Sequence, residues 1–185
     1  RSSAVSRILR RAGAAGIGAT AMSMLIAEAQ AATPKKGGSL RMGLAGGNTN
    51  DSLDPGTLSD TFAMNISQQT RNKLTEIAPD GQLVGELAEN FEASPDAAVW
   101  TFELRKGVEF HNGKTLDADD VVYSIQYHMG PDTTSAATGM TDPIAEVKAD
   151  GKNTVVMKLK GGNADFAFGL SDYHFPIAPA GTKGA

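Results

Sequence analysis

The sequence has no cysteine. That excludes disulfides, thiolate metal sites and a cysteine nucleophile within it. Aromatic residues are few, with one Trp, three Tyr and seven Phe. Positive charge is not in excess: 17 basic and 21 acidic residues leave a formal net charge of −4, which argues against nucleic acid as a partner. There is no apolar run long enough to span a bilayer. The longest stretch, Ala12 to Ala27, is about 16 residues of mostly Ala and Gly, short of the roughly 18 a span requires. No Gly-x-Ser-x-Gly, phosphate-binding loop or His-Glu-x-x-His motif occurs. Gly43-Leu44-Ala45-Gly46-Gly47 resembles a nucleotide fingerprint only superficially, because a polar loop follows it rather than a helix start.

The chain has 185 residues, enough for one domain with a sizeable core. Beginning on Arg1 and stopping at Lys183-Gly184-Ala185, it reads as a fragment. Residues 1–31 read as a signal peptide. Arg7, Arg10 and Arg11 form a positive n-region, Ala12 to Ala27 an apolar h-region, and Ala29-Gln30-Ala31 a small-x-small cleavage site. Arg10-Arg11 also fits twin-arginine export, although Ala12-Gly13-Ala14 lack the bulky apolar residues usual after the pair. With no cysteine after the h-region, the mature protein is expected to be exported, soluble and not lipid-anchored. Cleavage removes four Arg and one Glu and leaves a net charge of −7.

In the remainder, residues 32–185, Leu40, Met42 and Leu44 alternate and predict a first strand over Ser39–Leu44. A loop dense in Gly, Asn and Asp follows, Gly46 to Gly56, whose composition leaves backbone groups free to face a ligand. Ser59 or Asp60 is placed to cap a helix through Phe62, Ile66 and Gln69, ending near Asn72. Leu74 to Ile77 reads as extended and Pro79-Asp80-Gly81-Gln82 as a turn. Leu87, Ala88 and Phe91 fall at helical spacing within Val84–Phe91. From Gly130 to Asp142 the chain reads as a loop, with Pro131, Gly139 and several Thr and Ser; Ile144–Ala149 and Thr154–Leu159 then read as two strands joined at Asp150-Gly151-Lys152-Asn153, and Asn163–Leu170 as a short helix.

The densest signals lie in Val99–Met129. Trp100, Phe102 and Leu104 alternate with Thr101, Glu103 and Arg105, the pattern of a half-buried strand. Asn112-Gly113 marks a turn. Asp117 is an N-cap candidate, with Asp119 and Asp120 in the first turn, where negative charge suits the helix dipole. Val121, Ile125 and Met129 supply an apolar face at four-residue spacing. Nothing in this stretch pairs a nucleophile with a base, so it reads as scaffold. The same Asp residues lack the distal Glu of a calcium loop. His111, His128 and His174 are far apart and in different elements, so no metal site and no cofactor are expected.

Leu74-Thr75-Glu76, Pro79-Asp80-Gly81, Leu87-Ala88-Glu89-Asn90-Phe91, Trp100-Thr101-Phe102, Phe110-His111-Asn112-Gly113 and Ala118-Asp119-Asp120-Val121-Val122-Tyr123-Ser124 stand in one order at close spacing, preceded by Ser52-Leu53-Asp54-Pro55. In this the chain resembles the extracellular solute-binding protein family 5, the peptide, dipeptide and nickel binding components of ABC importers. The resemblance covers nearly all of Gly38 to Pro179. Family members often carry Trp at Phe91, Asp-Gly at Ala97-Ala98 and Thr at Asp117; none of these departures puts the fold in doubt.

The resemblance implies an α/β, two-lobed periplasmic binding protein fold of type II-like form, with residues 32–185 an incomplete first lobe. It implies a monomeric, non-enzymatic protein of the periplasm. Such a protein captures a peptide or similar small solute by lobe closure and delivers it to an inner-membrane ABC permease. It further implies ligand contacts at Thr49, Asn50 and Asp51, with Met140, Tyr173, His174 and Phe175 as weaker candidates. Two other classes compete: an exported hydrolase on a similar frame, and a ligand sensor that docks on a chemoreceptor. Residues 32–185 alone are expected to be unstable, because sheet partners would come from elsewhere in the protein.

Overall fold

The computed structural model describes residues 37–39 and 41–182. The chain divides into two units, Arg1–Met42 and Gly43–Ala185, and every element below belongs to the second. The signal peptide expected over 1–31 lies outside the described residues.

Among the described residues six strands and four helices follow one another: α1 Thr61–Thr70, β1 Thr75–Ile77, β2 Leu83–Gly85, β3 Ala88–Ala93, β4 Val99–Leu104, α2 Ala118–Tyr127, α3 Thr138–Thr141, β5 Ile144–Ala149, β6 Thr154–Leu159 and α4 Phe166–Gly169. β1 and β2 form an antiparallel pair. The other four strands make one antiparallel sheet in the order β3-β4-β6-β5.

The core face of this sheet comes from the period-two pattern. Phe102 stands opposite Val155 on β6 and Phe91 on β3, while Trp100 stands opposite Met157. Trp100, Phe102, Leu104, Val155, Met157 and Leu159 are all buried. Three rings stack across β3 and β4: Phe91–Phe102 at 6.1 Å, Trp100–Phe102 at 6.2 Å and Phe91–Trp100 at 6.5 Å. The Trp100 indole N–H donates to the Asn163 carbonyl at 3.2 Å, so the ring is buried without an orphaned polar group. Val121 and Ile125 of α2 join the same core. Burying side chains of this size contributes about 1.5–3 kcal/mol each.

Helix α2 begins as its sequence predicts. Asp117 accepts from the Asp120 amide, and the Asp120 carboxylate accepts from the Asp117 amide, a reciprocal capping box. At α1 the cap is Asp60, which accepts from Phe62 and Ala63 at 2.8 and 3.0 Å. This helix stops at Thr70, short of Asn72. The Thr70 hydroxyl turns back to the Ile66 carbonyl, and Arg71 leaves the helix to reach the Leu53 carbonyl.

Three expectations are corrected. Val84–Phe91 is not helical but the end of β2 and the start of β3. Its backbone is claimed from both sides, by Lys73 and Leu74 carbonyls and by pairing with β4. A three-residue apolar spacing over so short a segment does not separate helix from strand. The strand expected over Ser39–Leu44 is absent from its described residues, 39 and 41–44. No described strand offers them a ladder, and a strand exists only with a partner. Finally, the loop expected from Gly130 to Asp142 contains one turn of helix, α3.

Candidate functional site

The seven candidate contact residues fall on three segments of the chain. The first is the incoming loop that carries Thr49, Asn50 and Asp51. Its tip is closed on itself: the Asp51 carboxylate accepts the Asn48 amide at 2.6 Å, and the Asn48 side chain accepts the Asn50 amide at 2.8 Å. Thr49 and Asn50 are exposed and Asp51 half-buried. The base of the loop is held by Arg71, whose guanidinium donates to the Leu53 carbonyl at 2.6 Å. Burial pulls the Arg71 pKa down, and the neighbouring Asp54 charge opposes that shift.

Asp54 is the structural centre of the loop. Both its carboxylate oxygens lie 2.8 Å from the Tyr127 hydroxyl, and one also accepts the Gly56 amide at 2.8 Å. Burial, and then the hydrogen bond to Asp54, push the Tyr127 phenol up to about 12, so it stays a donor throughout the physiological range.

The second segment follows α2. Its first anchor is His128, 1 % exposed, with Nδ1 2.6 Å from the Ser135 hydroxyl. The backbone of His174 favours the charged imidazole, but burial outweighs it. The Ser135 oxygen accepts the Ala137 amide at 3.1 Å, which leaves its own proton to face His128 Nδ1. Burial first, and then His174, hold the His128 pKa down at about 4. The sequence reading found no nucleophile beside a base, and the fold places one there. Both partners are buried and the hydroxyl is already engaged, so the pair fastens the loop. Farther on, Met140 is exposed on α3.

The third segment is Ser171–Pro179. Tyr173 is half-buried, and its ring centroid lies 4.1 Å from that of His174. His174 is buried, with Nδ1 2.7 Å from the Asp172 carboxylate and Nε2 without a hydrogen-bond partner. Phe175 is 3 % exposed and meets the His128 ring edge-on at 5.0 Å. His128 and His174, read from the sequence as distant, are thus neighbours; His111 stands apart, bonded to the Thr70 carbonyl. Among the described residues no group of three His, Cys, Asp or Glu is arranged to hold a metal.

Met140 and Phe175 share a cleft of about 180 Å³, with Asn163, Asp165, Phe166 and Leu170 on its walls. Thr49–Asp51 do not reach it. A larger cleft of about 300 Å³ lies between Arg71, Asn72, Phe110, His111 and Ile177, and holds none of the seven candidates. The residues that organise these loops, Asp54, Tyr127 and Ser135, were not among the sequence candidates. Asp54 carried a signal in Ser52-Leu53-Asp54-Pro55. Tyr127 and Ser135 carried none, since their partners are distant or lie across a loop.

Residues 82–185 match the bacterial extracellular solute-binding proteins, family 5 Middle. The oligopeptide-binding protein OppA of Bacillus subtilis is 33% identical over 84 residues, 45% of this chain and 15% of that protein. The dipeptide-binding protein of Escherichia coli is 35% identical over 114 residues, 52% of this chain and 20% of that protein. Among solved structures, the periplasmic binding protein AgaA of A. tumefaciens R10, in complex with agropinic acid, superposes with a TM-score of 0.67 at 27% identity, covering 70% of this chain and 26% of that one. The chain thus spans about a quarter or less of the length of these relatives. Its mixed helix and sheet fold is that of the matching portion of a periplasmic binding protein.

Proposed function

Because the chain belongs to the bacterial extracellular solute-binding proteins of family 5, we propose that the whole protein is the periplasmic solute-binding component of an ABC importer. It captures a peptide or similar small solute between two lobes and presents it to a membrane permease. Residues 32–185 supply part of the first lobe. The observation that carries this reading is the family match over residues 82–185, joined by relatives whose names state oligopeptide and dipeptide binding. Closure favours the form the permease engages because the ligand binds that form more tightly. Extended peptides are recognised largely through backbone groups. The exposed Thr49 and Asn50 with Asp51 offer such contacts on one loop. Met140 and the Tyr173–Phe175 segment are the second set, Met140 at the surface and Phe175 on the inner wall of the shared cleft.

The protein works as a binder and not an enzyme in this reading, and acts as a monomer in the periplasm. Among the described residues no helix is long and apolar enough to cross a membrane. The test is a thermal-shift screen of the full-length protein against dipeptides, tripeptides, nickel complexes and sugars. Stabilisation by a peptide is expected. A protein that no peptide stabilises refutes the peptide assignment, and turnover of a bound solute by pure protein refutes the binder assignment.

A further inference from the structure

Two loops that carry proposed ligand contacts are stitched to each other at one point. Tyr127, the last residue of α2, donates to Asp54 in the incoming loop. Its own carbonyl accepts the Thr133 hydroxyl from the following loop at 3.0 Å. Two residues from Asp54, the Gly56 carbonyl accepts the Ala136 amide at 2.9 Å. Gly56 is wedged here: a Cβ would stand 3.2 Å from the Tyr127 ring and 3.3 Å from the Ser135 Cβ. The loops thus meet backbone to backbone, with the Tyr127 ring beside the junction.

We infer that Tyr127 and Asp54 are positioning residues for solute binding, a paired latch that sets the loop of Thr49–Asp51 and the loop leading to Met140 in one fixed relation. This rests on the solute-binding reading above. Neither side chain need touch the solute. Their effect is preorganisation: ordering two loops before the ligand arrives removes that cost from binding. The Tyr127 hydroxyl donates to a carboxylate, a stronger bond than one between neutral groups. Removing it frees both loops at once, whereas a local fastening would free only one.

The experiment uses the full-length protein and amide hydrogen exchange without ligand. Tyr127→Phe keeps the ring and removes the donor. It is expected to speed exchange about tenfold at Gly56 and Thr57 and also at Ala136 and Ala137, leaving β4 and β6 unchanged. Faster exchange in only one loop, or in neither, overturns the inference. Asp54→Asn, which keeps an acceptor but makes the bond a neutral one, is expected to exchange at rates between those of the wild type and Tyr127→Phe in both loops, and exchange faster than in Tyr127→Phe would overturn the latch. The double variant Tyr127→Phe/Asp54→Ala is expected to exchange no faster than Asp54→Ala, and additive effects would overturn the pairing. Titration with trialanine adds a functional arm. Affinity about tenfold weaker in Tyr127→Phe is expected, and equal affinity overturns the positioning role. A wild type that binds no peptide refutes the peptide reading instead, and the exchange data then decide the latch alone.

Discussion

The two ends of helix α2 are both secured by carboxylates, but in different ways. At the amino-terminal end Asp120 is fully buried and accepts from the Asp117 amide, the Lys114 ammonium at 2.5 Å and the Ala180 amide at 2.8 Å. At the carboxyl-terminal end no carboxylate belongs to the helix. Asp54 reaches in from 73 residues away to meet Tyr127, and the helix closes on a neutral His128. The first end is a local device with a tertiary addition. Through the Ala180 amide it also holds the outgoing chain, which is fastened again farther along the helix where Ser124 accepts the Ala178 amide at 2.9 Å. The second end is tertiary throughout. A helix amino terminus needs acceptors, and acidic side chains nearby in sequence provide them. At the other terminus the chain turns away, so partners come from wherever the fold brings them.

That contrast can be broken first at Asp120. Asp120→Ala leaves the Asp117 and Ala180 amides unpaired and Lys114 without its buried partner. A loss of about 4 kcal/mol is expected in urea unfolding of the full-length protein. A loss under about 1 kcal/mol would mean the buried carboxylate is dispensable.

The other end should respond to pH instead. The His128 pKa is about 4 when folded and about 6.5 when unfolded. The unfolded chain therefore binds more protons between those values. The stability from neutral His128 is intact above about pH 6.5, declines as pH falls, and is fully lost below about pH 4, a span of about 3 kcal/mol. His174 works against the charged form, while Asp54 and Asp172 favour it, so burial decides the sign. Unfolding free energies from pH 7.5 to 4 should show this slope in the wild type and not in His128→Asn.

Ser135→Ala tests the same end at smaller scale. It orphans the buried Ala137 amide and the His128 Nδ1, and about 2 kcal/mol of stability should disappear, read from the midpoint of chemical denaturation. The smallest effect is a control distant from both ends. Ala97 adopts φ 53°, in the left-handed region, within the turn between β3 and β4. Ala97→Gly should raise stability by about 0.5–1 kcal/mol, visible as a higher melting temperature.

Much of the scaffold was legible in the chain. The alternation Trp100-Phe102-Leu104 marked a strand buried on one face. The cap at Asp117 and the β5–β6 hairpin were equally plain. These features depend on residues a few positions apart, whose geometry the backbone nearly fixes. Val84–Phe91 was misread because a short apolar spacing fits either period, and only pairing of Phe91 with Phe102 decided it. Around the candidate contacts less was legible. The composition of Gly46–Gly56 marked a loop with backbone groups free to face a ligand, yet nothing near Tyr127 announced Asp54, and nothing near His128 announced Ser135 or His174.

The sequence by itself determined where helices start, where turns fall and which strand faces are apolar, because sterics, capping and period-two alternation act within a few residues. Tertiary structure alone decided which loops meet. It put Ala136 on Gly56, Tyr127 on Asp54 and Ala180 on Asp120, contacts between groups 60 to 80 residues apart. Such contacts form only after a packed core has fixed the elements that carry them, so no local pattern encodes them.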